Sequence, residues 1–331
     1  MLPSAPRRAL LSAALLSLAG TALAQAPAHP MPAHWPTKPL RIIVGFPGGS
    51  SPDTTARTLA EPLSKALGQP VIVENKVGAG GNIAADYVAK ANDDHTIGLM
   101  INGNMTVSKL LNPRLPYDPL KDFAPISLIG VSPLVLTAPL NAPGADARAF
   151  FAAARSAGDK WSYGSPGVGT VGHLGMELLK SRSGIDPMHV PYPGYPQVAN
   201  AMIAGELQIS MLPPALASAQ AKAGKLRAIG ITSTSRSPLV PEIPSLSEAG
   251  VQNFNLEMWN AVAAPTSMPA PIVARLSTLL VEITRSPEIR AKLAQQGWQA
   301  VGTSPEGLAN RIKSDAVVLG GIIQLRGIKN E

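Results

Sequence analysis

There is no cysteine among the 331 residues. That absence excludes disulfide bonds, thiolate metal sites, a cysteine nucleophile and a lipid-bearing cysteine. No apolar run reaches the roughly 20 residues that a helix needs to cross a bilayer. The 28 lysines and arginines are scattered and form no basic run interleaved with aromatics, so nucleic acid is not an expected partner. The five histidines form no H-E-x-x-H, and no metal is expected. A phosphate loop of the form G-x-x-x-x-G-K-[ST] is also missing.

What is present is a chain that can bury a large core, with 45% hydrophobic and 15% charged residues. Its length fits one large or two medium domains. The 33 prolines and 30 glycines make up about a fifth of the chain. That lies below the roughly 25–30% of low-complexity sequences and reads as many tight turns.

Arg7 and Arg8 precede an apolar stretch at 9–19, and Ala22-Leu23-Ala24 supplies the small residues a signal peptidase reads. Residues 1–24 are therefore expected to be a signal peptide cleaved after Ala24, which places the mature chain in the periplasm. The neighbours Pro6 and Ala9 fit a twin-arginine signal poorly, so Sec export is expected. Losing Arg7 and Arg8 takes the formal charge from +7 to +5. Residues 25–39, with prolines at 27, 30, 32 and 36, read as an extended leader.

The mature chain alternates strands with helices. A β-branched run at 40–44 is broken by a Pro/Gly/Ser loop at 47–52, and a helical pattern from Asp53 to Leu67 stops at Gly68. The unit recurs as a strand at 71–73, the loop Gly78-Ala79-Gly80-Gly81-Asn82 and a helix at 83–91. Further strands are expected at 96–101, 125–138, 161–165, 189–192, 207–212, 228–232 and 255–264, and helices at 147–157, 170–181 and 197–204. Amphipathic helices at 271–285, 287–296 and 305–325 close the chain. Strands apolar on both faces, alternating with helices, predict an α/β architecture with parallel sheets covered on both sides. The expected division is lobe 1 at 40–135 and 260–331 and lobe 2 at 136–259, with a cleft between them.

Three glycine loops sit between a strand and a helix, where unpaired backbone N–H groups and the positive helix end favour an anion. The loops at 47–53 and 166–173 contain no lysine or arginine, so an anion there would be gripped by neutral dipoles, helped by the hydroxyls of Ser50, Ser51, Ser165 and Thr170. The same glycines could equally serve only tight turns. Asp53 heads its helix, where it can cap the helix and also face the cleft. Gly167-Val168-Gly169-Thr170-Val171-Gly172 spells G-x-G-x-x-G, but the acid expected about 20 residues on has only Asp186, followed by Pro187, as a candidate. No cofactor is expected. Ser165 has Tyr163 where a nucleophile elbow needs glycine, and His173 lacks an orienting acid, so no catalytic triad is read.

Taken together, several motifs in one order resemble the Bug-type solute receptors, the extracytoplasmic binding components of tripartite tricarboxylate transporters. They are Trp35-Pro36-Thr37-Lys38-Pro39-Leu40-Arg41, Phe46-Pro47-Gly48-Gly49 through Asp53, and Val73-Glu74-Asn75-Lys76 leading to the 78–82 loop. Leu115-Pro116-Tyr117-Asp118-Pro119 with Asp122-Phe123, Tyr163-Gly164-Ser165 through Thr170 and His173, His189-Val190-Pro191-Tyr192, Ala223-Gly224-Lys225-Leu226-Arg227 and the stretch 241–250 extend the match. The resemblance implies a type II periplasmic-binding-protein fold, two α/β lobes closing on a small organic carboxylate, in a monomer that serves membrane transport subunits and catalyses nothing. It points to Phe46, Pro47, Gly49, Ser50 and Asp53, to Asn102, Gly103 and Asn104, and to Ser165, Gly169, Thr170 and His173, with the helix start at Gly81 as a further donor. Where relatives commonly carry an aspartate near Leu212, this chain has Pro213-Pro214, which turns the expectation from amino acids toward a dicarboxylate or an aromatic carboxylate. Two rivals stand beside this reading. One is an exported enzyme using His173 and Asp53 as acid and base; the other is a receptor feeding a signalling partner.

Overall fold

The computed structural model describes residues 34–328. The expected signal peptide, its cleavage site and most of the leader lie outside the described residues. The end of that leader packs onto the body: Trp35 is buried and its indole N–H donates to the Asp94 carbonyl at 2.9 Å.

Eleven strands are present among the described residues: β1 (Leu40–Val44), β2 (Val71–Asn75), β3 (Thr96–Ile101), β4 (Phe123–Pro133), β5 (Val135–Pro139), β6 (Ser162–Ser165), β7 (Met188–Pro191), β8 (Ile209–Leu212), β9 (Leu226–Ile231), β10 (Glu257–Pro265) and β11 (Gln299–Ala300). They form two sheets, ordered β11-β4-β10-β3-β1-β2 and β7-β6-β8-β5-β9. Each sheet is the centre of one α/β lobe. Helices cover both, so interior strands such as β3 and β8 are buried along almost their whole length.

The sheets are mixed, which corrects the expectation of parallel sheets. β1 runs parallel to β2 and β3, and β6 to β7 and β8. In contrast β10 lies antiparallel between β3 and β4, and β5 antiparallel between β8 and β9. The reason is connectivity, because a strand that leaves one lobe and a strand that returns to it run in opposite directions when they pair. The single strand expected at 125–138 is two: β4 in the first sheet and β5 in the second, broken at Leu134. A helix at Pro214–Lys222, overlooked in the alanine-rich stretch after Pro213, packs near β9.

The break at Leu134 is held by one residue. Thr232, fully buried just after β9, donates its backbone N–H to the Leu134 carbonyl at 2.8 Å, takes the Leu134 N–H on Oγ1 at 2.8 Å, and donates that hydroxyl to the Leu256 carbonyl at 2.6 Å. Both segments that pass between the lobes are thus tied to one side chain. In Thr232→Val the shape is kept, but the Leu134 N–H and the Leu256 carbonyl lose this partner in a dry environment. The expected cost is about 1–3 kcal/mol, read as a lower urea midpoint, and an unchanged midpoint would remove Thr232 from this role.

Candidate functional site

The loops at the tops of the two sheets meet across a cleft. Its inner compartment, about 450 Å³ including space open to solvent, is walled by Phe46, Tyr195, Met258, Trp259 and Trp298, with Ser50, Asn102, Thr170 and Asn260 among its polar residues. The mouth is larger, about 990 Å³ and open to solvent, and is lined by the glycine loop 78–81, by Pro166 to Val168 and by Tyr192. Phe46 and Pro166 border both. The lobes touch in this conformation. A Cβ on Gly103 would stand 2.5 Å from the Gly169 carbonyl oxygen, so only glycine allows that approach across the cleft.

In the first lobe the helix after β1 is Ser51–Leu67, capped by Ser50 and stopped by Gly68 in the left-handed conformation. Asp53, expected to head the helix, sits in its first turn, with Ser50 at the N-cap position. Its carboxylate takes the Gly49 N–H at 2.9 Å, Arg57 Nε at 2.9 Å and Asn75 Nδ2 at 2.8 Å, and Asn75 also donates to the Phe46 carbonyl. Burial alone would raise the Asp53 pKa, but the bonds from Arg57, Asn75 and Gly49 together hold it below the ordinary value. Asp53 is a brace for the 46–50 loop. Asn104 does the same for the next loop, donating to the Gly80 carbonyl and to Asn82 Oδ1 at 3.1 and 2.9 Å. Asn102 is likewise committed, accepting the Trp259 N–H and donating to the Glu257 carbonyl and Asp315.

In the second lobe the helix is Val171–Ser183, with Thr170 as its N-cap. The Thr170 hydroxyl donates to the Gly167 carbonyl at 2.7 Å and accepts the His173 N–H. Ser165 pairs with His189 Nε2 at 2.7 Å, not with His173, while His173 Nδ1 accepts the Gly169 N–H at 3.3 Å. A column of rings, Tyr163, His189 and His173, lies beneath the loop with centroids 4.3 to 6.4 Å apart. The Tyr163 hydroxyl donates to Glu177 at 2.8 Å, and Glu177 is paired with Lys180 and Arg326.

Of the residues expected at the site, Phe46, Ser50, Asn102 and Thr170 line the inner compartment and Gly81 the mouth. Gly103 and Gly169 form the contact between lobes. Asp53, Asn104, Ser165 and His173 stand behind this lining and hold its loops, whereas Pro47 and the exposed Gly49 belong to the 46–50 loop but line neither compartment. The aromatic wall and Asn260 were not foreseen from the sequence. One signal was available: Asn260 is a lone amide in the apolar strand Glu257–Pro265. Among the described residues that line the two compartments there is no lysine, arginine, aspartate or glutamate, and no cluster of three or more acids and histidines could hold a metal.

Comparison with known proteins places the geometry in context. The family described as "Tripartite tricarboxylate transporter family receptor" matches residues 55–328. A UPF0065 protein of a Pseudomonas species is 35% identical over 283 residues, which span 85% of this chain and 84% of that protein. A Rhodopseudomonas palustris protein solved with adipate superposes with a TM-score of 0.85 at 29% identity, covering 89% of this chain and 99% of that one. MatC of Rhodopseudomonas palustris, solved with bound malate, gives 0.82 at 30% identity, covering 87% and 100%. The two-lobe fold is that of periplasmic binding proteins.

The ring column has a consequence for stability. Burial pushes the His173 pKa down to about 4 and, with His173 as a neighbour, that of His189 down to about 3. Both return to the ordinary 6.5 in the unfolded chain. The unfolded chain then binds more protons than the native one below pH 6.5, so stability that is complete above 6.5 declines as pH falls toward 4. The expected slope is on the order of 1 kcal/mol per pH unit for each ring. Urea midpoints between pH 7 and 5 should fall accordingly, and His189→Gln should remove about half of that slope. A slope untouched by the substitution would place the titration elsewhere.

Proposed function

The chain belongs to the tripartite tricarboxylate transporter receptor family, and we propose that it works in the periplasm as a monomeric receptor for a small organic carboxylate, a dicarboxylate or an aromatic acid. The first lobe, built on β1–β4, β10 and β11, and the second, built on β5–β9, close over the ligand, and the closed form is presented to membrane transport subunits. The observation that carries this reading is the convergence of two long helices, Ser51–Leu67 and Val171–Ser183, whose first turns reach the inner compartment from opposite lobes. Each contributes a positive helix end, and neither needs a cation beside it. The mouth, where the loop 78–81 leads into the helix Asn82–Ala89, suits the second carboxylate of a dicarboxylate. Adipate and malate, the ligands of the two solved relatives, are of this kind.

Contacts that span both lobes stabilise closure only when ligand is present. Charge-assisted hydrogen bonds contribute roughly 1.5–3 kcal/mol each, so four give ~6–12 kcal/mol before ordering and desolvation costs. That supports micromolar binding, about −8 kcal/mol. The enzyme alternative draws on Asp53 and His173, and both are engaged by donors within the protein, which favours binding without chemistry.

The test is a thermal-shift screen of the refolded, ligand-free mature chain against mono- and dicarboxylates, followed by calorimetry and recovery of the ligand. One equivalent bound at micromolar affinity and recovered unchanged is expected. Failure of every carboxylate to bind, or conversion of the ligand, would overturn the proposal.

Ser50→Ala separates site from scaffold. The Ser50 hydroxyl is buried without a partner and gives the N-cap no side-chain bond. Its removal should leave the melting temperature of the ligand-free protein within about 2 °C, since nothing is lost in the unliganded fold. Affinity for the best carboxylate should fall about tenfold, the equivalent of one hydrogen bond to a charged group. Equal affinity in the variant would exclude Ser50 from the ligand's shell.

A further inference from the structure

Several glycines stand where the chain crowds itself, and they differ in what a side chain would strike. A Cβ on Gly45 would lie 2.5 Å from Gly81 Cα, a clash inside the first lobe that is the same however the lobes are arranged. Gly80 and Gly167 meet across the cleft, but both have positive φ, 62° and 124°, so their own loops call for glycine. Gly103 is different. It lies in the short helix Asn102–Met105 and its φ is not positive, so alanine can take the same backbone conformation and is the better helix former. Its own stretch of chain aside, the three atoms nearest to a Cβ there are the Gly169 carbonyl oxygen and carbon and the Thr170 nitrogen, at 2.5, 3.2 and 3.8 Å. All three belong to the second lobe. All three are backbone, which cannot swing aside as the end of a side chain can.

We infer that Gly103 is a positioning residue for ligand capture: its missing side chain serves the closed arrangement of the two lobes and not the fold of either. Asn102 and Thr170, the chain neighbours of Gly103 and Gly169, line the inner compartment from opposite lobes. The contact between the two glycines therefore stands at the edge of that compartment and fixes how near its two linings come. With a methyl group at position 103, the backbones must part by about 1 Å to restore an ordinary contact. A hydrogen bond of about 2.9 Å stretched by that amount is lost. A ligand that reaches from one lobe to the other then keeps its bonds to one side and loses those to the other, although no residue that lines the compartment has changed.

This inference rests on the receptor reading above, and the experiment keeps the two apart. Wild type, Gly103→Ala and, as a control for the fold, Gly45→Ala are melted without ligand. They are then titrated with the tightest binder of a carboxylate screen that includes adipate and malate. Association and dissociation rates are followed by tryptophan fluorescence, with Trp259 and Trp298 in the compartment wall as reporters. Gly45→Ala should melt below wild type. Gly103→Ala should melt at or slightly above the wild-type temperature, because alanine suits its helix. Its affinity should nevertheless be weaker by about tenfold or more, with the loss in faster dissociation and association within about twofold of wild type, since entry into the open cleft is unchanged. Equal affinity and equal dissociation rate in Gly103→Ala would overturn the inference and leave the receptor reading standing. A Gly103→Ala protein that fails to fold, or melts early as Gly45→Ala does, would assign the glycine to the fold of its own lobe and overturn the inference as well. If wild type binds no carboxylate, the receptor reading falls and takes the inference with it.

Discussion

The pairing of β4 with β10 is the constraint on which the rest of the architecture depends. These are the strands that leave and re-enter the first lobe, and they run antiparallel from Pro133 opposite Glu257 to Phe123 opposite Pro265. A chain that passes between two lobes near their common surface must satisfy its backbone groups without help from a continuous sheet. Pairing the exit with the return does this for most of the length, and Thr232 does it where the pairing ends. The register shifts beside Asn260, between Asn260 and Ala261. Irregularities of this kind re-aim side chains. The strand that joins the lobes therefore also carries a residue of the inner compartment.

Electrostatics in the cleft are arranged around neutrality. Asp53 would repel an anion if it stood alone, yet its charge is shared with Arg57, half-exposed on the outer side of the same helix, and with two further donors. What remains at the front of the loop is the partial positive charge of the helix end and the Ser50 hydroxyl. On the second lobe, burial favours neutral His173 and His189, whose rings support the 165–170 loop by packing, by the acceptor Nδ1 of His173 and by the bond between Ser165 and His189. Charges are placed behind the loops, and dipoles in front. A charged ligand held by dipoles leaves without breaking a buried ion pair, which suits a receptor that must release what it binds.

Much of this was legible in the sequence, because strand–glycine loop–helix units have strong local signatures. The loop at 47–50, the stop at Gly68, the loop 78–82 and the helix start at Thr170 all depend on residues a few positions apart. What stayed hidden depends on distant partners. The antiparallel return of β10 leaves no trace in its own composition, and the role of Asp53 is set by Asn75, 22 residues away. Ser165 was read beside His173 because the two are close in sequence, whereas the parallel pairing of β6 with β7 brings His189 to it. The inner wall comes from Tyr195, Met258, Trp259 and Trp298, aromatic and aliphatic residues that look like ordinary core until the lobes close around a cavity. Asn260 differs from its apolar neighbours, but which end of its amide meets Thr55 emerges only through Thr55 and Ser51.

The C-terminal helix, Pro305–Arg326, adds a third connection to the two crossings of the chain. Its first turns bury Leu308 and Ile312 in the cluster that contains Trp259, and Asp315 takes the Trp259 indole N–H at 2.6 Å, so this half belongs to the floor of the first lobe. Its last turns bury Leu319, Ile322 and Ile323 and lie against the helix Val171–Ser183 of the second lobe, where Arg326 meets Glu177 at 3.1 Å. Glu177 in turn holds the Tyr163 hydroxyl, and Tyr163 stacks on the histidines beneath the 165–170 loop. Within these last turns stand Gly320 and Gly321, which cost a helix interior roughly 1 kcal/mol each relative to alanine. A Cβ on Gly320 would come within 3.3 Å of Leu110, so at least the first of them is set by close packing. Opening of the cleft must either slide this helix over one lobe or break its seam with the Val171–Ser183 helix. A rotation of one lobe against the other would thus work against a helix–helix contact as well as a strand bend.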